Sequence, residues 1–290
     1  MRPRIALATY EQAPLLAPDD MRLIPALADV GIDAEPAVWS DAAVIWETFD
    51  AVLVRSCWDY HRRFTEFVEW LERLDASRIP VWNSIDLIGW NAHKRYLVDL
   101  AERGVSVTPT RIVPRGHGES VEDAVRSEGW NRFVLKPAVS ASGYETHALS
   151  LPLTGEAVSI VERVTAQSDV LLQPFIDEIP RDGEYSLMFI DGAFSHAAIK
   201  RAAEGEFRVQ REHGGSAVHV EASPSLIAAA SHSLAALPER PLYARVDGVM
   251  RDDTFMLVEL ELIEPNLFFE LSPGSEARLA AALRDRLGQA

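Results

Sequence analysis

One cysteine, Cys57, stands among 290 residues. No disulfide can close within the chain, which fits a protein kept in a reducing cytoplasm. Cys57 ends an apolar stretch and reads as a buried structural thiol rather than a nucleophile. Basic residues are also scarce: 28 Lys and Arg stand against 44 Asp and Glu, a net charge of −16. No basic surplus exists to displace counterions from a nucleic-acid backbone, so general nucleic-acid binding is excluded. A local basic pocket for a nucleotide is still allowed. Long apolar runs are missing too. Ile5-Ala6-Leu7-Ala8, after Met1-Arg2-Pro3-Arg4, is too short for a signal-peptide core. Nothing approaches the ~20 apolar residues of a membrane helix. A cytoplasmic protein without a membrane partner is expected. Finally, there is no GxxxxGK[ST] loop, no GxGxxG after a strand, no GxSxG elbow and no HExxH. A nucleotide would have to be held by other means.

What is present is enough for a full core, because 48% of the residues are hydrophobic. The length suits two ordinary domains, or one with a mobile subdomain. Residues 1–90 alternate strand and helix signals. Ile5 to Thr9, Ile32 to Val38 and Ala51 to Val54 read as strands. Asp19-Asp20 offers an N-cap to a helix through Leu23, Leu27 and Val30 that stops at Gly31. Phe64, Phe67, Val68, Leu71 and Leu74 fall at helical spacing. Such alternation implies a parallel α/β sheet, whose strand ends often face ligands. Arg55 and the cluster Trp58-Asp59-Tyr60-His61 sit at one such end. A helix from Lys94 to Arg103 stops at Gly104. Phe133 to Pro137 forms a short strand before the small, polar loop Ala138 to Gly143, then come a helix near Glu156 to Ala166 and a strand Val170 to Gln173. The rest reads as antiparallel sheet, α+β in character. Hairpins are expected at Asp191-Gly192, at Gly214-Gly215 between Phe207–Gln210 and Ala217–Val220, and at Arg251-Asp252-Asp253. Helices are expected near Pro224 to Leu237 and Glu276 to Leu287.

The residues that carry chemistry cluster late in the chain. Period-two alternation puts Arg245 and Asp247 on one face of a strand, and Glu259 and Glu261 on one face of the next. A short turn would bring Asp247 opposite the two glutamates. Three carboxylates on one face repel unless a cation neutralises them, and magnesium, a hard oxygen-seeking ion, fits. A solvated acidic face is the other reading. Glu264 and Asn266 lie just beyond and are alternative ligands. Lys136 ends a buried strand beside a loop whose N–H groups can cradle an anion, or it is an ordinary surface lysine. Lys94, after Asn91-Ala92-His93, could simply follow a capped helix start. Gln173-Pro174-Phe175-Ile176 is a strand end broken by Pro174, suited to an adenine ring or to a plain linker.

In this order the pieces resemble the ATP-grasp superfamily over Asn91 to Gly274. The resemblance implies an N-terminal α/β domain (1–90) and an ATP-grasp region (91–290) with a mobile central lid at 105–175. It implies Lys94 and Lys136 on the α- and β-phosphates of ATP, and Ser140, Ser142 and Gly143 in a loop closing over them. Gln173, Phe175 and Ile176 would line the adenine site. Glu184 would hold the ribose, with Glu178 as its rival. Arg245 would steady the transferring phosphoryl group, while Asp247, Glu259 and Glu261 would bind magnesium, with manganese an acceptable substitute. The superfamily usually has Asn where Glu261 stands, which keeps Glu264 and Asn266 open. Lys200, Arg201 and Arg208, near Gly214-Gly215, would border the phosphate or the acceptor, or form a solvated hairpin. The stretches Val54 to His61, Trp90 to Leu97 and Glu259 to Pro265 look like the group that contains the cycloserine-forming O-ureido-serine cyclo-ligases. In that group Arg55, Asp59, Tyr60 and His61 become substrate-side candidates, Arg55 for a carboxylate. Their plain alternative is a packed strand-to-helix junction.

The expected activity is activation of an amino-acid-like carboxylate as an acyl phosphate, followed by attack of an amine, intramolecular in the cyclo-ligase case. An intermolecular dipeptide or amide ligase and a nucleotide-binding regulator without turnover are the alternatives. A homodimer is compatible with the composition.

Overall fold

A computed structural model describes residues 2–116 and 120–288. Residues 117–119 of the expected lid lie outside the described residues, as do Met1 and residues 289–290. Along the chain run β1 (Arg4–Thr9), α1 (Leu23–Asp29), β2 (Asp33–Val38), β3 (Ala51–Ser56), α2 (Phe64–Ala76), β4 (Val81–Trp82), α3 (Ile85–Ala92) and α4 (Tyr96–Glu102). Next come β5 (Arg111–Val113), α5 (Val121–Ser127), β6 (Arg132–Pro137), β7 (His147–Ser150), α6 (Glu156–Gln167), β8 (Val170–Pro174) and α7 (Glu178–Asp182). The chain finishes with β9 (Glu184–Ile190), β10 (Ala193–Arg201), β11 (Ser216–Val220), α8 (Pro224–Ala235), β12 (Tyr243–Arg251), β13 (Thr254–Glu261) and α9 (Ser275–Leu287).

These elements form three sheets. The N-terminal one is parallel, in the order β2-β1-β3-β4. Its strands are apolar on both sides because both faces are covered. Ile5, Leu7 and Leu53 pack toward α1 and the returning α9, while Ala6, Ala8, Val52 and Val54 pack with Phe67, Trp70, Leu71 and Leu74 of α2. The middle sheet, β5-β8-β6-β7, is antiparallel. Phe133, Leu135, Val170 and Leu172 bury one face of it with Val121, Ala124 and Val164. Period two therefore turns Val134, Lys136 and Gln173 to the opposite face. The third sheet is antiparallel, β11-β10-β9-β12-β13. Leu187, Phe189, Ala197, Ala244, Val246 and Leu260 pack on one side with Leu226, Ala230 and Leu234 of α8. The other face is left to Glu184, Ser186, Lys200, Arg245, Asp247, Glu259 and Glu261.

The mixed architecture agrees with the sequence reading, down to the β9–β10 hairpin, where Asp191 and Gly192 both take positive φ (49° and 77°). Two local expectations fail. Asp19 and Asp20 do not cap α1. Asp19 instead accepts from the backbone N–H groups of Phe269 and Glu270, at 2.9 Å each, and Asp20 pairs with Arg55. Nor do residues 207–210 form a strand. Gly215 lies so close to Val209 that a Cβ there would stand 2.1 Å from its carbonyl oxygen. The chain thus folds on itself in a compact loop, and only Ser216–Val220 joins the sheet, against β10.

Candidate active site

The polar faces of the middle and C-terminal sheets enclose a cavity of ≈ 410 Å³. Strand register builds its floor. Across β12 and β13, Arg245 stands opposite Glu261 and Asp247 opposite Glu259. Asp247 also faces Ser186 on β9, and Glu184 faces Lys200 on β10. Cross-strand neighbours become ion pairs. Lys200 Nζ lies 2.6 Å from Glu184 Oε1 and 2.7 Å from Asp247 Oδ2. Arg245 donates to both oxygens of Asp247 (2.9–3.1 Å), to Glu261 and to the carbonyl of Asn266 (3.1 Å). Lys94 reaches Glu259 Oε1 at 2.6 Å and the Ser140 carbonyl at 2.9 Å. It gets there because Asn91, at the end of α3, pins β13 through the Leu260 carbonyl and the Leu262 N–H, and because the Lys94 N–H donates to Ala138. The helix expected to start at Lys94 starts two residues later, at Tyr96.

Charge is unevenly balanced in this site. Burial disfavours ionised Glu259, but Lys94 and Lys136 outweigh it and hold its carboxyl well below the ordinary range. Asp247 is likewise held low by Arg245 and Lys200 against burial. Burial lowers Lys136, with Glu259 opposing. The remaining carboxyls are under-compensated. Burial pushes Glu261 up to about 7 despite Arg245, and burial plus the nearby Glu261 pushes Glu264 up to about 8. A half-buried and a buried carboxyl on the cavity wall, both pushed up, fit a hard cation.

Of the nucleotide-side candidates, Lys94, Lys136, Ser140, Ser142, Gly143, Gln173, Phe175, Ile176 and Glu184 all line the cavity. So do Arg208, Lys200, Arg245, Glu259, Glu261, Glu264 and Asn266. Several expectations need correction. Asp247 is only 1% exposed, accepts from Ser186, Lys200 and Arg245, and is not on the cavity wall. Its contacts here are with the two cations Lys200 and Arg245, and among the described residues no three acidic, His or Cys side chains gather at metal-binding geometry. Glu178 is held by Arg251 through two bonds of 2.8–2.9 Å, away from the cavity, leaving Glu184 as the ribose candidate. Arg55 is fully buried, clamped to Asp20 at 2.8 Å and to the Pro265 carbonyl at 2.7 Å. It holds β3 to the segment after β13 and is not open to a substrate carboxylate. Asp59 accepts from Trp39 Nε1 at 2.8 Å, outside the cavity. Tyr60 lines the cavity. His61 does not; it packs at 5.1 Å on Tyr144, and neither of its buried ring nitrogens has a hydrogen-bond partner. Gly214 and Gly215 shape the loop below Val209 and touch no part of the cavity.

The sequence reading gave Phe207 and Phe268 no site role and named Trp58 only within the strand-end cluster, yet all three line the cavity. Phe207 lies 5.9 Å from Phe175, and Trp58 donates to the Glu264 carbonyl at 3.1 Å. An aromatic in a loop gives no periodic signal, so nothing in the sequence separated these from packing residues.

A family profile described as the N-terminal domain of D-cycloserine synthetase DcsG matches residues 5–83. The cycloserine biosynthesis protein DcsG of Streptomyces lavendulae is 35% identical over 281 residues, covering 91% of this chain and 92% of the relative. The chain belongs to the D-cycloserine synthetase family. The crystal structure of D-cycloserine synthetase DcsG superposes with a TM-score of 0.87 at 34% identity, over 98% of this chain and 99% of that one. D-alanine–D-alanine ligase from Bacillus anthracis, 14% identical, shares the fold at a TM-score of 0.71 over the whole of both chains. The fold is the one shared by ATP-grasp ligases. Among the described residues no helix is long and apolar enough to cross a membrane.

Proposed function

We propose that this enzyme closes O-ureido-D-serine to D-cycloserine through an acyl phosphate, with magnesium as the companion ion. The observation that carries the proposal is the meeting of Lys94, Lys136, Arg245, Glu259 and Glu261 on the walls of one cavity, in a chain 35% identical to a cycloserine biosynthesis protein. The hinge Gln173 to Ile176 and Phe207 hold the adenine. Lys94 and Lys136 take the phosphates, and Ser140, Ser142 and Gly143 close over them. Lys94 pairs with Glu259, and Glu259 and Glu261, with Glu264 beside them on the cavity wall, are the residues that would hold the ion. The ion, when bound, screens the phosphate charge. Arg245, kept in place by Asp247, steadies the phosphoryl group in flight, and Lys200 holds Glu184 toward the ribose.

The substrate carboxylate oxygen forms a bond to the γ-phosphorus as ADP leaves. The aminooxy nitrogen of the same molecule then bonds to the acyl carbon and sheds its proton as phosphate departs with the carboxylate oxygen, and water removes the carbamoyl group from that nitrogen as carbon dioxide and ammonia. A carboxylate alone is a poor electrophile, and the two steps supply the leaving group it lacks. Lys136→Ala and Glu261→Ala should each abolish turnover while leaving the circular dichroism spectrum and cooperative unfolding intact. Near-normal rates from either variant contradict these roles. Product mass is the second readout. A cyclic product supports ring closure, and a joined product of two amino acids replaces it with intermolecular ligation.

A further inference from the structure

Three residues follow Asn266, and they behave differently. Leu267 and Phe269 are buried in the apolar core shared with α9, whereas Phe268, also buried, is the one of the three that lines the cavity. Its backbone is left-handed, with φ 49° and ψ 44°. That conformation suits glycine and strains a bulky side chain, and such strain persists where the surroundings over-determine it. Here they do. The Phe268 N–H donates to Asn266 Oδ1 at 2.8 Å, and the next two N–H groups are both held by the Asp19 carboxylate at 2.9 Å. The ring is thereby fixed between two guanidinium groups, 5.7 Å from Arg245 Cζ and 6.0 Å from Arg211 Cζ. Arg211 in turn pairs with Glu270, both on the cavity wall.

Arg245 marks the place of phosphoryl transfer, so a substrate carboxylate must point toward it. The rest of an amino-acid substrate in this cavity must then pass close to Phe268, whose ring lies 5.7 Å from Arg245 Cζ and lines the same cavity. From this placement we infer that Phe268 is a specificity-determining residue: its ring is a rigid stop that limits the substrate to a short, O-linked serine-like side chain. The inference rests on the ligase reading above. It adds a steric limit at a named residue that does not touch the nucleotide hinge.

The test compares O-ureido-D-serine with the bulkier O-benzyl-D-serine, in the full-length enzyme with ATP, magnesium and hydroxylamine. ADP release is the readout, so no ring nitrogen is needed. Wild type should release ADP readily with the ureido compound and poorly with the benzyl ether. Phe268→Ala should shift the ratio of kcat/KM toward the benzyl ether by roughly tenfold or more, the range that buried methylene-sized changes give. Phe268→Leu, which keeps most of the volume, should shift it less, and neither should change KM for ATP. A gain with the larger substrate cannot arise from loss of fold, and if Phe268→Ala does not fold, the Phe268→Leu ratio decides. Active variants that keep the wild-type ratio overturn the inference. A wild-type enzyme that releases ADP with neither compound contradicts the proposed function itself, and the inference falls with it.

Discussion

His61 shows how burial, reinforced by neighbouring cations, can decide a residue's protonation. Both ring nitrogens are buried without a hydrogen-bond partner. Burial, with Arg62 and Lys94 nearby, lowers its pKa from 6.5 to about 4. The folded protein therefore refuses a proton that the unfolded chain accepts between those values. The stability that depends on neutral His61 is intact above pH 6.5 and is lost as pH falls toward about 4. His61→Phe keeps a flat ring against Tyr144 and removes the titration. Relative to wild type, it should gain in urea midpoint between neutral pH and pH 4. A constant difference between the two proteins would contradict this assignment. The sequence offered His61 as a substrate contact because it lies just past a strand end. Its actual neighbour, Tyr144, directly follows the small, polar loop Ala138 to Gly143, and no local pattern foretells that pairing. Phe268 was hidden for a related reason, since a left-handed φ on a non-glycine residue leaves no trace in composition.

Strand elements, in contrast, were largely legible. Arg245, Asp247, Glu259 and Glu261 were placed on one face by alternation and by the short turn at Arg251-Asp252-Asp253, and the observed register pairs them directly. What alternation could not supply is which carboxylate faces the cavity and which is consumed by neighbours. Asp247 is taken by Lys200 and Ser186, 47 and 61 residues away. Arg55 was misread in the same way, because Asp20, 35 residues earlier, claims its guanidinium. That pair ties β3 to the loop before α1, and the Arg55 bond to Pro265 extends the tie to the catalytic wall. Asp20→Ala would strand a fully buried guanidinium, at a cost of about 3–5 kcal/mol for a broken buried pair. Chemical denaturation should show a loss of that size. A loss within ordinary surface scatter, about 0.5 kcal/mol, would mean that this clamp does not hold the elements together.

At the scale of the whole molecule, two antiparallel sheets face each other across the cavity, and the N-terminal region adds Ala17, Pro18, Asp19 and Trp58 to its lining. Lys136 stands on the middle sheet and Lys94 on its approach, whereas Lys200, Arg245 and the carboxylates stand on the C-terminal sheet. Lys94 and Lys136 meet Glu259 because the two sheets face each other. In the proposed function this gives a division of labour: one sheet would hold phosphate, the other would neutralise the ion, and the hinge between them would accept the base. The chemistry proposed for this assembly requires that the carboxylate be activated by phosphate and not by adenylate. The direct measurement is a single-turnover reaction with ATP, magnesium, O-ureido-D-serine and hydroxylamine, analysed for nucleotide products and for hydroxamate. ADP with phosphate and a D-serine-derived hydroxamate is the predicted outcome. AMP with pyrophosphate, or ADP release without any trapped acyl group, would contradict the account.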